Sequence, residues 1–222
     1  MPRQLPLDLP HRPSLERDDL VVSAANRLAV EAVDAWPDWS HPVLLVTGPP
    51  GSGKSHLAEV WSMEAGARVA EEGSVGDILK TPDFRVVVDD VDRGGLEEDA
   101  LFALVNAARL GGGWLFLTGR RLPAAMEIAT PDLRSRLSAA TIVPLGAPDD
   151  ALLTGVLAKL FADRQIEVEA GALRYLVERM ERSLDAARRI VAAVDREALA
   201  VKARVTRPLL RRVLEEGGWH TG

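Results

Sequence analysis

The chain contains no cysteine in its 222 residues, so it can form neither a disulfide nor a thiolate metal site. It also lacks an apolar run long enough to cross a bilayer, and its amino terminus lacks a cationic, apolar secretory segment. These absences argue against a membrane partner, and we expect the protein in the cytoplasm.

The chain has fewer basic than acidic residues, and its net charge is −6. An acidic chain argues against an extensive nucleic-acid-binding surface, although a local basic patch is compatible with it. Basic residues do gather near the carboxyl end, where a solvated helical face is the simpler interpretation. Any contact with DNA is therefore expected to be indirect or weak.

Apolar residues make up 47% of the chain, which is enough for a packed core. In the first two-thirds, apolar runs typical of strands buried on both faces alternate with helical patterns such as LEEDALFALVNAARL. The predicted strands are HPVLLVTG, FRVVVDD, GGWLFLTG and ATIVPL, with a shorter one at ARVA. This alternation predicts an α/β fold with a parallel sheet flanked by helices.

The segment before the first strand, LVVSAANRLAVEAVDAW, has helical spacing. It places Leu28, Val30, Ala32 and Val33 near one face. The residues ahead of it are rich in proline and polar groups and predict an extended tail.

After Leu145 every apolar pattern has helical spacing, which predicts a small all-helical domain. Ser183 and Thr206 are predicted N-caps in this domain, and Gly217 is a predicted helix stop. The predicted divisions of the chain are an extended tail at 1–18, an α/β base at 19–146 and a helical domain at 147–222.

The segment GPPGSGKS fits the pattern G-x-x-x-x-G-K-[ST] and lies between a predicted strand and a predicted helix. Its glycines let backbone N–H groups turn toward an anionic phosphate at the positive end of the helix. Lys54 would reach the outer phosphates and Ser55 would offer its hydroxyl to Mg²⁺. A glycine-rich turn with a chance lysine is the alternative. The predicted nucleotide-binding residues are Gly48, Pro49, Pro50, Gly51, Ser52, Gly53, Lys54, Ser55 and His56.

Two aspartates follow the predicted strand FRVVV. At the carboxyl end of a buried strand, Asp89 can hold Mg²⁺ through water, together with Ser55. Asp90 could orient or deprotonate an attacking water. Simple capping of a strand end is the alternative, and the P-loop, which is the segment GPPGSGKS, favours the functional interpretation.

A P-loop, an Asp-Asp pair, a strand ending in a polar residue, an SR segment and a helical lid follow one another in the order of an AAA+ ATPase. LVVSAANRLAVEAV resembles the linker helix of the replication initiator DnaA and its relatives. VVVDDVD resembles their Walker B motif, LFLTGRRLP their sensor 1 strand and turn, and PDLRSRL their arginine-finger segment. This resemblance implies an AAA+ base and helical lid that bind ADP or ATP with Mg²⁺.

The resemblance also implies roles for single residues. Val21 and Val22 would line the adenine side of the nucleotide. Thr118 would be the sensor 1 group near the γ-phosphate, with a structural hydrogen bond at the strand end as the alternative. Relatives usually have an acid two positions later, where this chain has Arg120. Arg136 would be the finger that reaches a neighbouring subunit's nucleotide, with a solvated surface arginine as the alternative.

The lid arginine known as sensor 2 departs from the family pattern. By this resemblance Asp185 stands where the arginine belongs, so that Arg182, Arg188 or Arg189 would have to substitute, with Arg182 as the first candidate. Because an acid beside a triphosphate is repulsive, the departure implies either a preference for ADP or only weak ATPase activity.

The amino-terminal QLPLDL resembles the peptide with which Hda-like relatives of DnaA dock into the sliding clamp of the replicase. Gln4, Leu5, Leu7 and Leu9 would be the anchors, with alternate apolar side chains in preformed pockets. Pro6 stiffens the peptide and reduces the entropy lost on binding. A loose tail with chance leucines is the alternative.

We expect the DNA-binding domain that follows the lid in DnaA to be absent, and EEGSVGDILKTPDF is too short for the initiator's insertion that grips single-stranded DNA. The resemblance then implies an Hda-like regulator that is tethered to the clamp, docks on ATP-bound DnaA and stimulates its ATP hydrolysis. A homodimer or oligomer is compatible with this role. The alternatives are a helicase loader or other AAA+ ATPase that acts by its own hydrolysis, and a small-molecule P-loop kinase.

Overall fold

A computed structural model describes Arg17, residues 20–201 and residues 205–219. The chain divides between Ala147 and Pro148 into two compact units. The predicted clamp-binding anchors lie outside the described residues, and they are Gln4, Leu5, Leu7 and Leu9.

A five-stranded parallel sheet forms the middle of the first unit, which confirms the predicted α/β fold. Its strands are β1 (Val43–Thr47), β2 (Arg68–Val69), β3 (Phe84–Val88), β4 (Gly113–Gly119) and β5 (Thr141–Pro144). They lie in the order β2-β3-β4-β1-β5. The register pairs Thr47 with Gly119 and Val88 with Leu117. The carboxyl ends of β1, β3 and β4 therefore meet at one edge of the sheet.

Helices connect these strands. They are α1 (Arg27–Asp34), α2 (Lys54–Ala65), α3 (Val75–Ile78), α4 (Glu98–Arg109) and α5 (Pro131–Ser138). Helix α2 begins after Gly53 and ends before Gly66, whose left-handed φ angles of 104° and 63° suit glycine. Pro131 opens α5 in the first turn, where the missing N–H has no intrahelical partner to lose.

The strand residues alternate between two hydrophobic clusters, because successive side chains of a strand point to opposite faces of the sheet. Leu45 and Leu117 belong to a cluster with α4 and α5. Leu44 and Phe116 belong to a second cluster with α1 and α2. Both faces are therefore covered by helices, as continuous apolar strands predict.

Tryptophans fill much of the second cluster. Trp39 stacks on Trp61 of α2 with ring centroids 5.3 Å apart, and Trp36 meets Trp61 edge-on at 6.2 Å. Phe116 of β4 lies 5.6 Å from the same ring. Because Trp61 is completely buried, this aromatic packing joins the segment between α1 and β1 to both α2 and the sheet.

The prediction that Leu28, Val30, Ala32 and Val33 share one face of the first helix is wrong for Leu28. Helix α1 begins only after Asn26, because the Asn26 side chain hydrogen-bonds the backbone of Val21 and Ser23 and holds them in a turn. Leu28 is 63% exposed and Ala32 is partly buried. The buried residues of α1 are Ala29, Val30 and Val33. Leu28 is out of phase with this stripe, since each helical residue advances by about 100°.

The second unit is built from helices, as the sequence predicts. They are α6 (Asp150–Ala162), α7 (Ala170–Val177), α8 (Leu184–Val201) and α9 (Arg207–Gly217). Their fully buried side chains include Leu153, Leu157, Leu176, Ile190, Val191 and Leu210. Across the described ranges 20–201 and 205–219, no helix is both long and apolar enough to cross a membrane.

The helix ends of the second unit agree with the sequence in part. Ser183 Oγ accepts the N–H of Ala186 at 3.3 Å, which confirms the predicted cap of α8. Thr206 occupies the N-cap position of α9, but its side chain makes no capping hydrogen bond. The predicted stop at Gly217 is one residue early, because Gly217 is still helical and Gly218 takes the left-handed φ of 64°.

Two glycines should respond in opposite ways to alanine. A Cβ on Gly113 would lie 2.1 Å from the Phe84 carbonyl oxygen, so we expect Gly113→Ala to lower the free energy of unfolding by about 1–3 kcal/mol. A Cβ on Gly76 of α3 would meet nothing within 4 Å, so Gly76→Ala should be neutral or stabilise by up to about 1 kcal/mol. Urea unfolding followed by circular dichroism measures both, and equal stabilities would contradict the close approach of β3 and β4.

Candidate functional site

The loop between β1 and α2 has a backbone that requires glycine at several points. Gly51 and Gly53 have φ angles of 69° and 104°. A Cβ on Gly48 would lie 2.2 Å from the carbonyl oxygen of Leu145, so the chain after β5 excludes any side chain there. The loop leads directly into the positive, N-terminal end of α2.

Lys54 is the first residue of α2 and is only 6% exposed. Its Nζ donates to the carbonyl oxygens of Gly48 and Pro49, both at 2.9 Å. Burial lowers the pKa of Lys54, while nearby carboxylates, led by that of Asp90, act in the opposite direction. An ammonium group folded back on its own loop is available to an anion placed against that loop.

Ser52 adds a second indication of a ligand. Its Oγ is buried and has no hydrogen-bond partner within the part of the chain that the structure describes. Buried polar atoms are nearly always hydrogen-bonded, so an unpaired one calls for a partner from elsewhere. With the glycine-dependent loop and the folded-back ammonium of Lys54, this hydroxyl fits a phosphate-bearing ligand.

Ser55 and Asp89 form the predicted metal pair. Ser55 Oγ lies 3.0 and 3.1 Å from the two carboxylate oxygens of Asp89. Hydroxyl and carboxylate oxygens suit Mg²⁺, which usually takes its remaining ligands from water and phosphates. Among the described residues, no group of three or more His, Asp or Glu side chains could hold a metal ion. The pair therefore fits Mg²⁺ in the company of phosphates, and does not form a dedicated protein cage.

Thr118 lies fully buried at the carboxyl end of β4. Its Oγ1 donates to Asp89 Oδ1 at 2.5 Å and accepts the N–H of Asp90 at 2.8 Å. The hydroxyl of Thr118, the predicted sensor 1 group, thus makes structural hydrogen bonds at the strand end, which was the alternative interpretation. A contact between Thr118 and a γ-phosphate stays a prediction.

Asp90 adopts an uncommon backbone conformation. Its φ is 50°, in the left-handed region that aspartate tolerates better than most side chains. The Asp90 carboxylate lies 3.3 Å from Nη2 of Arg120, and both side chains are about one-third exposed. Asp90, the predicted water-orienting residue, therefore faces Arg120, which occupies the position where relatives usually have an acid.

Asp92 is a residue that sequence reasoning missed. Its carboxylate accepts the backbone N–H of Arg120, at 2.9 and 3.0 Å from the two oxygens, and that of Arg121 at 3.1 Å. The loop after β4 is thereby fixed to the loop after β3. The available signal was the third aspartate of VVVDDVD, which had to lie at the same edge of the sheet as the first two.

Arg136, the predicted finger, lies on α5 and is held within its own subunit. Its Nε and Nη2 donate to Asp132 at 3.1 and 2.8 Å, and its Nη1 donates to Asn106 of α4 at 2.8 Å. The guanidinium also lies 5.0 Å from the ring centre of Phe102. Its side chain is 22% exposed, so the simple alternative of a solvated arginine does not describe it. Action on a neighbouring subunit stays a prediction.

Glu98 of α4 fixes the start of α5 and was also missed. Its carboxylate accepts the N–H of Ala129 at 2.7 Å, and both the N–H and the hydroxyl of Thr130 at 2.9 and 2.8 Å. These hydrogen bonds, led by the one from Ala129, hold the pKa of Glu98 below its ordinary value. Glu98 therefore helps to set the position of α5 and of Arg136.

The other residues of the first unit that were predicted to contact the nucleotide are Val21, Val22, His56 and Pro50. Val21 is half-buried and Val22 is 46% exposed, in the segment before α1. His56 lies on α2, where its Nδ1 is 3.9 Å from a carboxylate oxygen of Glu59. Pro50 is exposed in the loop. Contacts of these residues with a nucleotide stay predictions.

The sensor 2 candidates lie in the second unit. Arg182 pairs with Asp150 at 2.8 Å, and its Nε donates to the Pro148 carbonyl oxygen at 3.2 Å. The other pairs are Arg188 with Asp185 at 3.2 Å and Arg189 with Glu181 at 3.9 Å. Each candidate arginine therefore has a carboxylate partner within its own unit.

The second unit matches a known family: residues 150–214 fit the sequence model of the family described as Hda, lid domain. Over a wider span, the chain is 26% identical across 218 aligned positions to the chromosomal replication initiator protein DnaA of Herpetosiphon aurantiacus. That match covers 83% of this chain and 46% of the initiator, so this chain corresponds to less than half of that relative.

Solved structures share the fold. Domain III of the Thermotoga maritima replication initiation protein DnaA matches with a TM-score of 0.77 at 18% identity, over 94% of this chain and 98% of that one. AMPPCP-bound DnaA from Aquifex aeolicus matches with a TM-score of 0.64 at 18% identity, over 82% of this chain and 65% of that one. The lid family, the sequence relative and the shared fold agree. Residues 150–214 thus resemble the Hda lid family, and the chain as a whole is similar in sequence to DnaA and shares the fold of DnaA domain III.

Proposed function

We propose that this chain binds an adenine nucleotide with Mg²⁺ and regulates the initiator DnaA by completing the initiator's ATPase site. The observation that carries the proposal is that Ser55 and Thr118 both bond to Asp89 at one edge of the sheet, next to the loop on which Lys54 folds back. It occurs in a chain whose second unit has an Hda-type lid sequence. A relative of the same fold, the DnaA of Aquifex aeolicus, is AMPPCP-bound.

The site residues would divide the work of binding. The backbone N–H groups of the loop and the Lys54 ammonium would neutralise the phosphates, and Ser52 Oγ would gain the partner that it lacks among the described residues. Ser55 and Asp89 would orient Mg²⁺, which when bound would screen the charge between phosphate oxygens. Thr118 keeps the Asp89 carboxylate in place for this role.

Arg136 is the residue that we propose to act on DnaA. A guanidinium that enters a neighbour's nucleotide site stabilises charge that develops on the transferring phosphoryl group. To do so, Arg136 has to exchange its contacts with Asn106 and Asp132 for the partner's nucleotide. The partner's phosphate would have to replace the neutral amide of Asn106 and the carboxylate of Asp132, and it can do so because it offers several charged oxygens to the planar guanidinium.

The amino-terminal tail would bring the protein to its place of action. We propose that Gln4, Leu5, Leu7 and Leu9 dock into the sliding clamp as an extended peptide, as the resemblance of QLPLDL implies. Tethering raises the effective concentration of the regulator near clamp-bearing DNA, without a DNA-binding surface of its own.

A second candidate is an ATPase that acts by its own hydrolysis, such as a helicase loader. The observation in its favour is that Asp89 and Asp90 both follow β3, so the acids that such an enzyme needs are present. Steady ATP turnover by the purified chain in the absence of DnaA would favour this candidate. Turnover that appears only when DnaA is added would favour the regulator.

Lys54 tests the nucleotide site. Lys54→Ala should weaken binding of both ADP and ATP by about 100-fold or more, because the loop loses a cation that bonds directly to phosphate. Isothermal titration with Mg²⁺ measures the affinities. Lys80→Ala is the matched control, since Lys80 is 78% exposed and pairs only with Asp77 in the described structure. Tight ADP binding by Lys54→Ala would show that the site is elsewhere.

Arg136 tests the action on DnaA. Arg136→Ala should leave nucleotide and clamp binding unchanged and remove the stimulation of DnaA's ATP hydrolysis, an effect on the order of 10³-fold for arginine fingers. The assay is single-turnover hydrolysis by DnaA with clamp loaded on DNA.

Asn106→Ala is the control for this experiment, because it breaks the same α4–α5 bridge but keeps the arginine. It should stimulate DnaA at least as well as the parent. If Arg136→Ala stimulates as strongly as the parent, or if both variants fail equally, the arginine serves only to join the two helices.

The tail is tested by a double substitution. Gln4→Ala combined with Leu7→Ala should abolish binding to the sliding clamp, since it removes the polar anchor and the central apolar anchor. Surface plasmon resonance against immobilised clamp measures the loss. Asp8→Ala, within the same peptide, should bind like the parent, because Asp8 is not among the predicted anchors. Undiminished binding by the double variant would mean that the clamp is held elsewhere.

A further inference from the structure

The guanidinium of Arg120 has hydrogen-bonding capacity that the described chain leaves unused. Nη2 makes a single long contact of 3.3 Å with Asp90, whereas strong arginine–carboxylate pairs use two parallel bonds. Nε is buried and has no hydrogen-bond partner among the residues that the structure describes. A desolvated N–H without an acceptor is unfavourable, so this side chain can gain from an additional acceptor.

The position of Arg120 points to which acceptor this is. The preceding residue, Gly119, accepts a hydrogen bond at 3.1 Å from the N–H of Gly48, which opens the P-loop. The Asp92 carboxylate accepts the backbone N–H of Arg120, which holds the Arg120 backbone at this edge of the sheet. Its positive charge also reaches Lys54, where it contributes, after burial, to the lowered pKa of the ammonium.

We propose that Arg120 contacts the terminal phosphate of a bound nucleoside triphosphate and sets the preference of this chain between ATP and ADP. With a triphosphate, the guanidinium donates to phosphate oxygens; with a diphosphate, it stays paired with Asp90. The planar guanidinium can bind two phosphate oxygens at once, which outweighs its single contact with a carboxylate that is about one-third exposed. The inference rests on the nucleotide site of the proposed function.

The exchange would couple the nucleotide to the state of Asp90. While Arg120 is paired with Asp90, one carboxylate oxygen is occupied and cannot accept a hydrogen bond from water in the same direction. When Arg120 turns to a phosphate, that oxygen becomes available. The left-handed backbone at Asp90 and the hydrogen bond from the Arg120 N–H to Asp92 keep the Asp90 and Arg120 side chains near each other, whether Arg120 binds the carboxylate or a phosphate.

The test compares affinities for AMPPCP and ADP, each with Mg²⁺, by isothermal titration of the full chain. Arg120→Ala should weaken AMPPCP binding by about tenfold or more, since a charged hydrogen-bond pair is lost. Binding of ADP should stay within about twofold of the parent. Arg120→Gln, which keeps most of the side-chain length, should behave in the same way and guards against loss of packing.

Arg121→Ala is the matched control. Arg121 is adjacent, its backbone N–H is held by the same Asp92 carboxylate, and its side chain pairs with Glu127 at 3.3 Å on the surface. Neither affinity should change. Asp90→Asn should raise the affinity for AMPPCP relative to ADP in the parent but not in Arg120→Ala, because it removes the competing carboxylate.

The outcomes separate the two proposals. If the parent binds neither AMPPCP nor ADP, the nucleotide site of the proposed function is wrong, and the role of Arg120 falls with it. If the parent binds both and the Arg120 variants keep the parent's ratio of the two affinities, only the role of Arg120 is wrong. An equal effect of Asp90→Asn with and without Arg120 would overturn the competition between carboxylate and phosphate.

Discussion

The hydrogen bonds of Asp89 hold the candidate site together. The Asp89 carboxylate, directly after β3, lies within hydrogen-bonding distance of Ser55 on α2 and accepts from Thr118 on β4. Each hydrogen bond to a charged group contributes about 1.5–3 kcal/mol, so three segments distant in sequence are fixed at one side chain. The parallel register makes this meeting possible, because it brings the carboxyl ends of β1, β3 and β4 to one edge. The groups that would bind a metal are therefore the ones that stiffen the edge.

Carboxylates also position the two arginines on which the functional argument depends. Asp92 binds the backbone at Arg120, and Glu98 binds the backbone just ahead of α5, which carries Arg136. In both cases an acidic side chain accepts hydrogen bonds from loop N–H groups, which have no partner in a strand or a helix. Some acidic residues of the chain thus fix loops of the α/β unit, a role that the net charge alone does not indicate.

The strands and the glycine-rich loop between β1 and α2 were predictable because their signals are local. Buried parallel strands are continuous apolar runs, and glycine is required wherever the backbone turns left-handed or approaches another chain segment, as at Gly48 and Gly53. The partners of Arg120 and Arg136 were not predictable in the same way. Asp92 and Asn106 lie about thirty residues from them in sequence, so their meeting depends on the sheet order and on helix packing. The phase of α1 was misjudged for a smaller reason, since Leu28 lies about 100° before Ala29, where the stripe of Ala29, Val30 and Val33 begins.

The aromatic cluster of the base gives this protein an optical property. Trp61 lies seven residues after Lys54 on α2, about two helical turns, and stacks on Trp39. A movement of α2 that follows occupation of the loop would change the overlap of these rings and hence their ultraviolet emission. The single tyrosine, Tyr175, belongs to the second unit, as does Trp219. The unlabelled protein therefore carries its own chromophore on α2, two helical turns beyond the loop, and four of its five indoles belong to the base.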